Sequence, residues 1–246
     1  MGPREFHEEI ASTQDRALEL ARTGTPDGTR VVARRQTRGR GRLDHRWASP
    51  PGGLYLSIVL AAPADHSTLL PLGVGAHLAD GLGRAYGRRL AVKWPNDVLA
   101  TDVGPSPRKL AGVLVDRVPS PREGFAVVVG VGVNVATAPD GWPPATGYAA
   151  AALAERSGPP PSLDDVEELV VAAVVGTARS LGEADGVGRV RALTRAYLYG
   201  VGRRAVLDGR PVGTIAALGD EGELLVDRDG DRVAIRAGDL RVEGWT

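Results

Sequence analysis

The chain has 246 residues, and its 30 Lys and Arg balance 30 Asp and Glu to a formal net charge of zero, which excludes binding nucleic acid through a broad basic face. With no cysteine, disulfide scaffolds, thiol catalysis and thiolate zinc sites are excluded as well, and the four scattered histidines argue against a His-cluster metal site. No run of about 18 apolar residues occurs, and the charged start MGPREFHEEI is no leader of a basic segment followed by an apolar one, so a cytoplasmic protein without membrane association is expected.

At 43% hydrophobic but 4% aromatic residues, Val, Leu and Ala must fill a core large enough for one full domain and a small appendage. Ser12 and Thr13 precede QDRALELART, where Ala17, Leu18 and Ala21 form a helical stripe and Ser12 with Asp15 has capping spacing. RVVARR (30 to 35) predicts a strand, QTRGRGRLDHRW (36 to 47) a Gly/Arg loop, and LYLSIVL (54 to 60) an alternating strand. Residues 68 to 86 have helical periodicity, and β-like runs follow at 90 to 93, 110 to 118 and 125 to 133, for a sheet of five or more strands. Beyond a Pro-rich turn at 139 to 144, helices are predicted at 148 to 156, 163 to 181 and 187 to 199. The middle one is opened by Ser162 ahead of Asp164, Asp165, Glu167 and Glu168. From about 202 the texture changes to RRAVLD, PVGTIAAL, ELLVDR, RVAIRA and DLRVE, split by Asp-Gly and Glu-Gly turns, the pattern of a small antiparallel barrel. A boundary near Gly200 divides the chain into 1–199 and 200–246.

Composition also points to a site. Of the 30 basic residues only Lys93 and Lys109 are lysines, Asn occurs only at 96 and 134, and Gln only at 14 and 36. A chain that uses Arg, Asp and Glu almost everywhere else keeps these six where a compact ammonium or a two-way amide is needed. Between two predicted strands, Gly39-Arg40-Gly41-Arg42 combines glycines that let backbone approach a ligand with guanidiniums, also at Arg38 and Arg46, suited to phosphate or carboxylate. It lacks the ending of a Walker loop and the third glycine of a dinucleotide fingerprint. Alone, it reads as a solvated turn. Lys93-Trp94-Pro95-Asn96-Asp97 begins at a strand end, where Pro and the turn-prone Asn-Asp project polar groups at the sheet's edge. Gly112, Gly130 and Gly132 interrupt apolar runs, consistent with a ligand lying flat on two neighbouring strands. Taken singly, Trp47 and Trp94 read as core residues and Asp97 as a turn residue, while Arg88 and Arg89 are expected to be solvated and His7, His66 and His77 gain no role.

Ser-Thr, Gln-x-x-Gly-Arg-Gly-Arg, Trp-x-Ser-Pro, Lys-Trp-Pro-Asn-Asp, Lys-Leu-Ala-Gly and Gly-x-Gly-x-Asn occur in that order between 12 and 134. Together they resemble the biotin–protein ligases (biotin–[acetyl-CoA-carboxylase] ligases). The resemblance implies an α+β fold of the class II synthetase-like kind, a mixed sheet flanked by helices, with a small C-terminal SH3-like β-barrel. It implies that biotin and ATP, with Mg2+ held by phosphates and water and not by a dedicated protein cage, form biotinyl-5′-AMP. The biotinyl group then passes to one lysine of a biotin carboxyl carrier protein domain.

By the same resemblance Ser12, Thr13, Gln36 and Gly39 bind biotin, with backbone at Gly112 and Gly130 close to its ureido group. Arg40, Gly41 and Arg42 fold over the carboxylate and α-phosphate. Trp47 stacks on adenine and Asn134 lies at the nucleotide. Lys109 bonds the oxygens where charge develops, and Asp97 orients or deprotonates the acceptor lysine. Arg241 reaches the nucleotide from the C-terminal barrel. The catalytic set is thus Lys109, Arg42 and Asp97. Two departures stand out: Asp44 and His45 replace a further Gly-Arg of the loop, and only 11 residues precede Ser12, so no operator DNA binding is expected. A monomer or weak homodimer is expected. The alternatives are a lipoate or octanoate transferase of the same fold, which needs a long apolar tunnel, and a non-catalytic biotin or nucleotide sensor.

Overall fold

The computed structural model describes residues 2–43, 45–61, 68–122, 124–139, 148–155 and 161–243. A seven-stranded sheet, ordered β1-β2-β3-β7-β6-β5-β4, is built from β1 (Arg4–His7), β2 (Arg30–Ala33), β3 (Gly53–Ala61), β4 (Leu90–Lys93), β5 (Asp97–Ala100), β6 (Arg108–Ser120) and β7 (Gly124–Asn134). Only β1 and β2 run parallel, so the sheet is mixed; the other neighbours are antiparallel.

Period-two alternation assigns the two faces. Val127, Val129, Val131 and Val133 of β7, with Leu54, Leu56 and Ile58 of β3, join the main core, which α2 (Leu69–Tyr86), α3 (Leu163–Leu181) and α4 (Gly186–Tyr197) cover. The opposite face packs Ala17, Leu18 and Ala21 of α1 (Thr13–Arg22) against Val31, Val59, Val118 and Val128. Because α1 covers only part of that face, positions 55, 57, 112, 114, 130 and 132, which share it, are left to form a cleft.

The predicted caps form: Ser12 Oγ accepts from the Asp15 amide at 3.3 Å, and Ser162 Oγ from the Asp164 amide at 3.2 Å. β1 and β5 are not among the predicted strands: the mostly charged Arg4–His7 and the uninterrupted apolar run of Val98, Leu99 and Ala100 are each only four residues or fewer and carry no alternation signal of their own. Most of the helix predicted at 148–156 is absent: the described residues 148–155 hold a single 3-10 turn, Leu153–Glu155. The alanines there have helix propensity, yet their backbone is spent on β6, with the Lys109 amide donating to Ala149 O at 2.7 Å and the Ala151 amide to Lys109 O at 2.8 Å. The expectation that Arg88 is solvated is also corrected. Its guanidinium is buried, paired to Asp102 and donating to Ala152 O and Leu153 O at 3.0 and 2.8 Å, so it pins that segment. Arg89 is exposed. Asp44, His66, most of the Pro-rich turn and residue 156 lie outside the described residues.

Strands β8 (Arg204–Leu207), β9 (Arg210–Leu218), β10 (Leu224–Arg228), β11 (Asp231–Ile235) and β12 (Leu240–Val242) form a second, antiparallel sheet ordered β11-β10-β9-β8-β12. Among the described residues its outer strands β11 and β12 do not pair, so a closed barrel is not formed. Ile215, Leu218, Leu224, Val226, Ile235 and Leu240 are continuous with the main core, and Trp94, fully buried, donates from Nε1 to Gly222 O at 3.0 Å. Trp94 is therefore core, as its type alone suggests.

Candidate functional site

Strand register sets out the floor of the cleft. Tyr55 of β3 pairs with Gly132 of β7, Gly132 with Gly112 of β6, Gly112 with Asp97 of β5, and Asp97 with Lys93 of β4, giving one row across five strands. A second row, Ser57–Gly130–Leu114, lies beside it. The loop between β2 and β3 forms the roof with Arg40, Gly41, Arg42, His45 and Trp47.

The glycines are explained by what lies on them. A Cβ at Gly112 or Gly132 would come within 2.8 or 2.5 Å of the Trp47 ring, and one at Gly130 would collide with the Gln14 amide. The surface expected to receive a ligand directly is thus covered in this structure by the protein's own indole and amide. Trp47 is buried at 8% exposure, with the Lys109 ammonium 5.2 Å from its ring centroid.

Deeper in the cleft the polar groups are neutral and mutually bonded. Gln36 Oε1 accepts from the Thr13 amide and hydroxyl at 2.8 and 3.0 Å, while Gln36 Nε2 donates to Ser49 Oγ. Ser57 Oγ lies 3.0 Å from both Thr13 Oγ1 and Gln14 Oε1, and Gln14 Nε2 donates to Val128 O and Asp116. This network offers hydroxyls and amides to an uncharged polar ring.

Charge gathers at the other end. Asp97 Oδ1 is 2.6 Å from Lys109 Nζ, and Asp97 Oδ2 accepts from Lys93 Nζ at 2.9 Å, with all three residues under 9% exposed. Burial alone would raise the Asp97 carboxyl, but the ammonium groups of Lys109 and Lys93 hold it well below the ordinary carboxylate range. Arg42 Nη1 reaches Asn96 Oδ1 at 3.5 Å. Burial lowers the Arg42 pKa, opposed by the carboxylates of Asp97, Asp239 and Asp208. Arg40 is paired outward, 3.0 Å from Asp15 and 3.3 Å from Asp116.

Ten of the expected residues line this cleft: Thr13, Gln36, Arg40, Gly41, Arg42, Trp47, Asp97, Lys109, Gly112 and Gly130. Four do not. Ser12 caps α1, and Gly39 packs under Trp47 and Ser49. Asn134 donates to Ala151 O at 3.0 Å and is not among the residues that line the cleft. Arg241, exposed on β12, faces a separate hollow beside Tyr148 and Arg108. Sequence reasoning missed Gln14, Ser57, Asn96 and Asp239 as lining residues. The scarcity of Gln and Asn flagged two of them; Ser57 and Asp239 are common types with no such signal. Among the described residues no group of three His, Asp or Glu could hold a metal ion.

The sequence pattern of the biotin/lipoate A/B protein ligase family matches residues 6–134. The bifunctional ligase/repressor BirA of Bacillus subtilis is 28% identical over 243 residues, covering 96% of this chain and 73% of that protein. The biotin–[acetyl-CoA-carboxylase] ligase of Mycobacterium tuberculosis is 30% identical, covering 94% and 86%. A solved structure of biotin protein ligase from Aquifex aeolicus, in complex with biotin and ATP, superposes with a TM-score of 0.81 at 26% identity over 99% of both chains.

Proposed function

This chain belongs to the biotin/lipoate A/B protein ligase family, and from that premise we propose that it is an ATP-dependent biotin–protein ligase acting on a biotin carboxyl carrier protein domain in the cytoplasm. A biotin carboxylate oxygen attacks the α-phosphorus of ATP, the bond to the leaving pyrophosphate breaks, and biotinyl-5′-AMP forms. The amine of the acceptor lysine then attacks the anhydride carbonyl, an amide forms and AMP leaves. Mg2+ enters as part of the ATP substrate, since the protein carboxylates at the cleft are engaged by lysines and arginines.

The observation that carries the biotin reading is the polar floor of Thr13, Gln14, Gln36 and Ser57, which suits a ureido ring, whereas a fatty acyl chain would need an apolar tunnel in its place. Gly112 and Gly130 keep that floor shallow. Trp47 forms the platform between the ring site and the adenine. Lys109 is the catalytic ammonium, aimed at the oxygens on which charge accumulates, with Arg40, Gly41 and Arg42 folding over the same anions. Arg40 would leave Asp15 and Asp116 to do so. Asp97 orients Lys109 and the incoming amine; with both oxygens in ion pairs and its carboxyl held below the ordinary range, it is a poor proton acceptor. Asn134, which holds the carbonyls of Lys109 and Ala151, and Arg241, at the neighbouring hollow, are assigned to the nucleotide side. The C-terminal segment 200–246 is read as an opened SH3-like barrel leaning on the 1–199 catalytic domain, supported by its five short antiparallel strands.

The test is pyrophosphate exchange with labelled ATP. Exchange dependent on biotin is expected; dependence on octanoate would assign the chain to the acyl transferases, and binding without exchange would make it a sensor.

A further inference from the structure

Lys93 has no part in the reaction just described, yet it is one of two lysines in the chain and is 1% exposed. An ammonium buried this deeply is costly unless carboxylates neutralise it. Its Nζ lies 2.9 Å from Asp97 Oδ2, 3.8 Å from Asp239 Oδ1 and 5.5 Å from the centroid of the Tyr148 ring. Asp239 stands just before β12, its amide bonded to Asp208 Oδ1 at 2.8 Å, and the Val242 amide of β12 donates to the Tyr148 hydroxyl at 3.3 Å. The first contact fixes Asp239 within the second sheet, and the second, through the Tyr148 ring beside Lys93, ties the rim of that sheet to the end of the five-strand row.

We infer that Lys93 is a positioning residue: in an alternating chain Asp239–Lys93–Asp97–Lys109 it holds the Asp97 carboxylate so that one oxygen is left for Lys109, and through Asp239 it makes the C-terminal sheet part of the catalytic site. This rests on the assignment of Lys109 as the catalytic ammonium. The geometry supports it in three ways. Asp97 divides its oxygens, Oδ2 to Lys93 and Oδ1 to Lys109, so the first contact sets the direction of the second. Lys93 and Asp97 face each other in strand register on β4 and β5, and Asp97 faces Gly112 on β6, which fixes the spacing by backbone hydrogen bonds. Asp239 itself lines the cleft, so the chain is continuous from one sheet to the other. A compact ammonium bridges two carboxylates under a ring face where a planar guanidinium would not, which accounts for a lysine surviving here.

The groups facing Asp97 are Lys93 on β4, Lys109 on β6, Arg42 on the loop, and Tyr148 and Asp239 from the segments packed above. Lys93→Met removes one cation, so Asp97 should take up its proton at a pH higher by about one unit or more. This is read by 13C NMR of the carboxyl in the ligand-free protein. The acid limb of kcat for biotin-dependent pyrophosphate exchange should move the same way, with kcat about tenfold lower and KM for biotin little changed. Lys93→Arg, which keeps the charge, should leave the acid limb in place but still lower kcat more than about threefold, because the sharing of the two oxygens is lost. Asp239→Asn should slow exchange about threefold in the parent and not at all in Lys93→Met, as expected for two residues acting on one path. Wild-type kcat in Lys93→Arg, an unmoved carboxyl titration in Lys93→Met, or an Asp239→Asn loss equal in both backgrounds would each overturn the inference. Absence of biotin-dependent exchange in the parent would instead refute the proposed reaction, and the NMR titration, which needs no substrate, would still decide the chain.

Discussion

The buried row and the arginine loop use the same chemistry, cation against carboxylate, in opposite surroundings. Lys93, Asp97 and Lys109 are held on three neighbouring strands out of water. Arg40 and its partners Asp15 and Asp116 have side chains 38%, 47% and 27% exposed. In the row, losing a partner leaves a buried charge uncompensated; at the loop, water and ligand oxygens replace a lost partner at little cost. A group that must point at developing charge belongs in the first setting, and a clamp that must exchange protein carboxylates for a substrate's belongs in the second.

Four variants test that contrast, in order of expected effect. Asp97→Asn leaves two buried ammonium groups without their carboxylate and should cost about 3–5 kcal/mol of stability, measured from the denaturant midpoint. Because the folded carboxyl lies below its unfolded value, its contribution is fully present above the unfolded pKa and is lost only as pH falls through the folded one. The gap between variant and parent should therefore stay constant from about pH 8 to 5 and close only in stronger acid. Lys109→Ala should reduce biotin adenylation by at least about 100-fold, the loss typical for a preorganised charge-stabilising donor; retained exchange would remove Lys109 from its role. Arg42→Gly removes a charge-assisted bond of about 1.5–3 kcal/mol and should release biotinyl-AMP at least about tenfold faster, seen as labelling of bystander proteins. Asp15→Asn, at the exposed pair, should change stability by less than about 1 kcal/mol. A cost as large as that of Asp97→Asn would erase the distinction between the two regions.

Much of this was readable beforehand because it is local. The Ser12 and Ser162 caps, the 163–181 helix and the Gly/Arg loop between two strands follow from residues a few positions apart. Scarcity of Lys, Asn and Gln marked six residues, of which Gln14, Gln36, Asn96 and Lys109 line the cleft and Lys93 and Asn134 do not. The misses are non-local. An alanine-rich stretch gave up its helix to bond the backbone of Lys109, and Arg88 was drawn inside by the carbonyls of that same stretch. Arg241, expected at the nucleotide by resemblance, lines a neighbouring hollow on the second sheet, a placement no local pattern in the chain specifies.

What the order of residues determined alone is the set of elements and the inventory of chemical groups, since capping, periodicity and residue type act over one or two turns of chain. Which of those groups meet was decided by tertiary structure. Strand register, set by hydrogen bonds between segments up to dozens of residues apart, aligned Tyr55, Gly132, Gly112, Asp97 and Lys93 in one row. The packing of a second sheet then brought Asp239 to its end. Exclusion of water from that row turns a common ion pair into a fixed one.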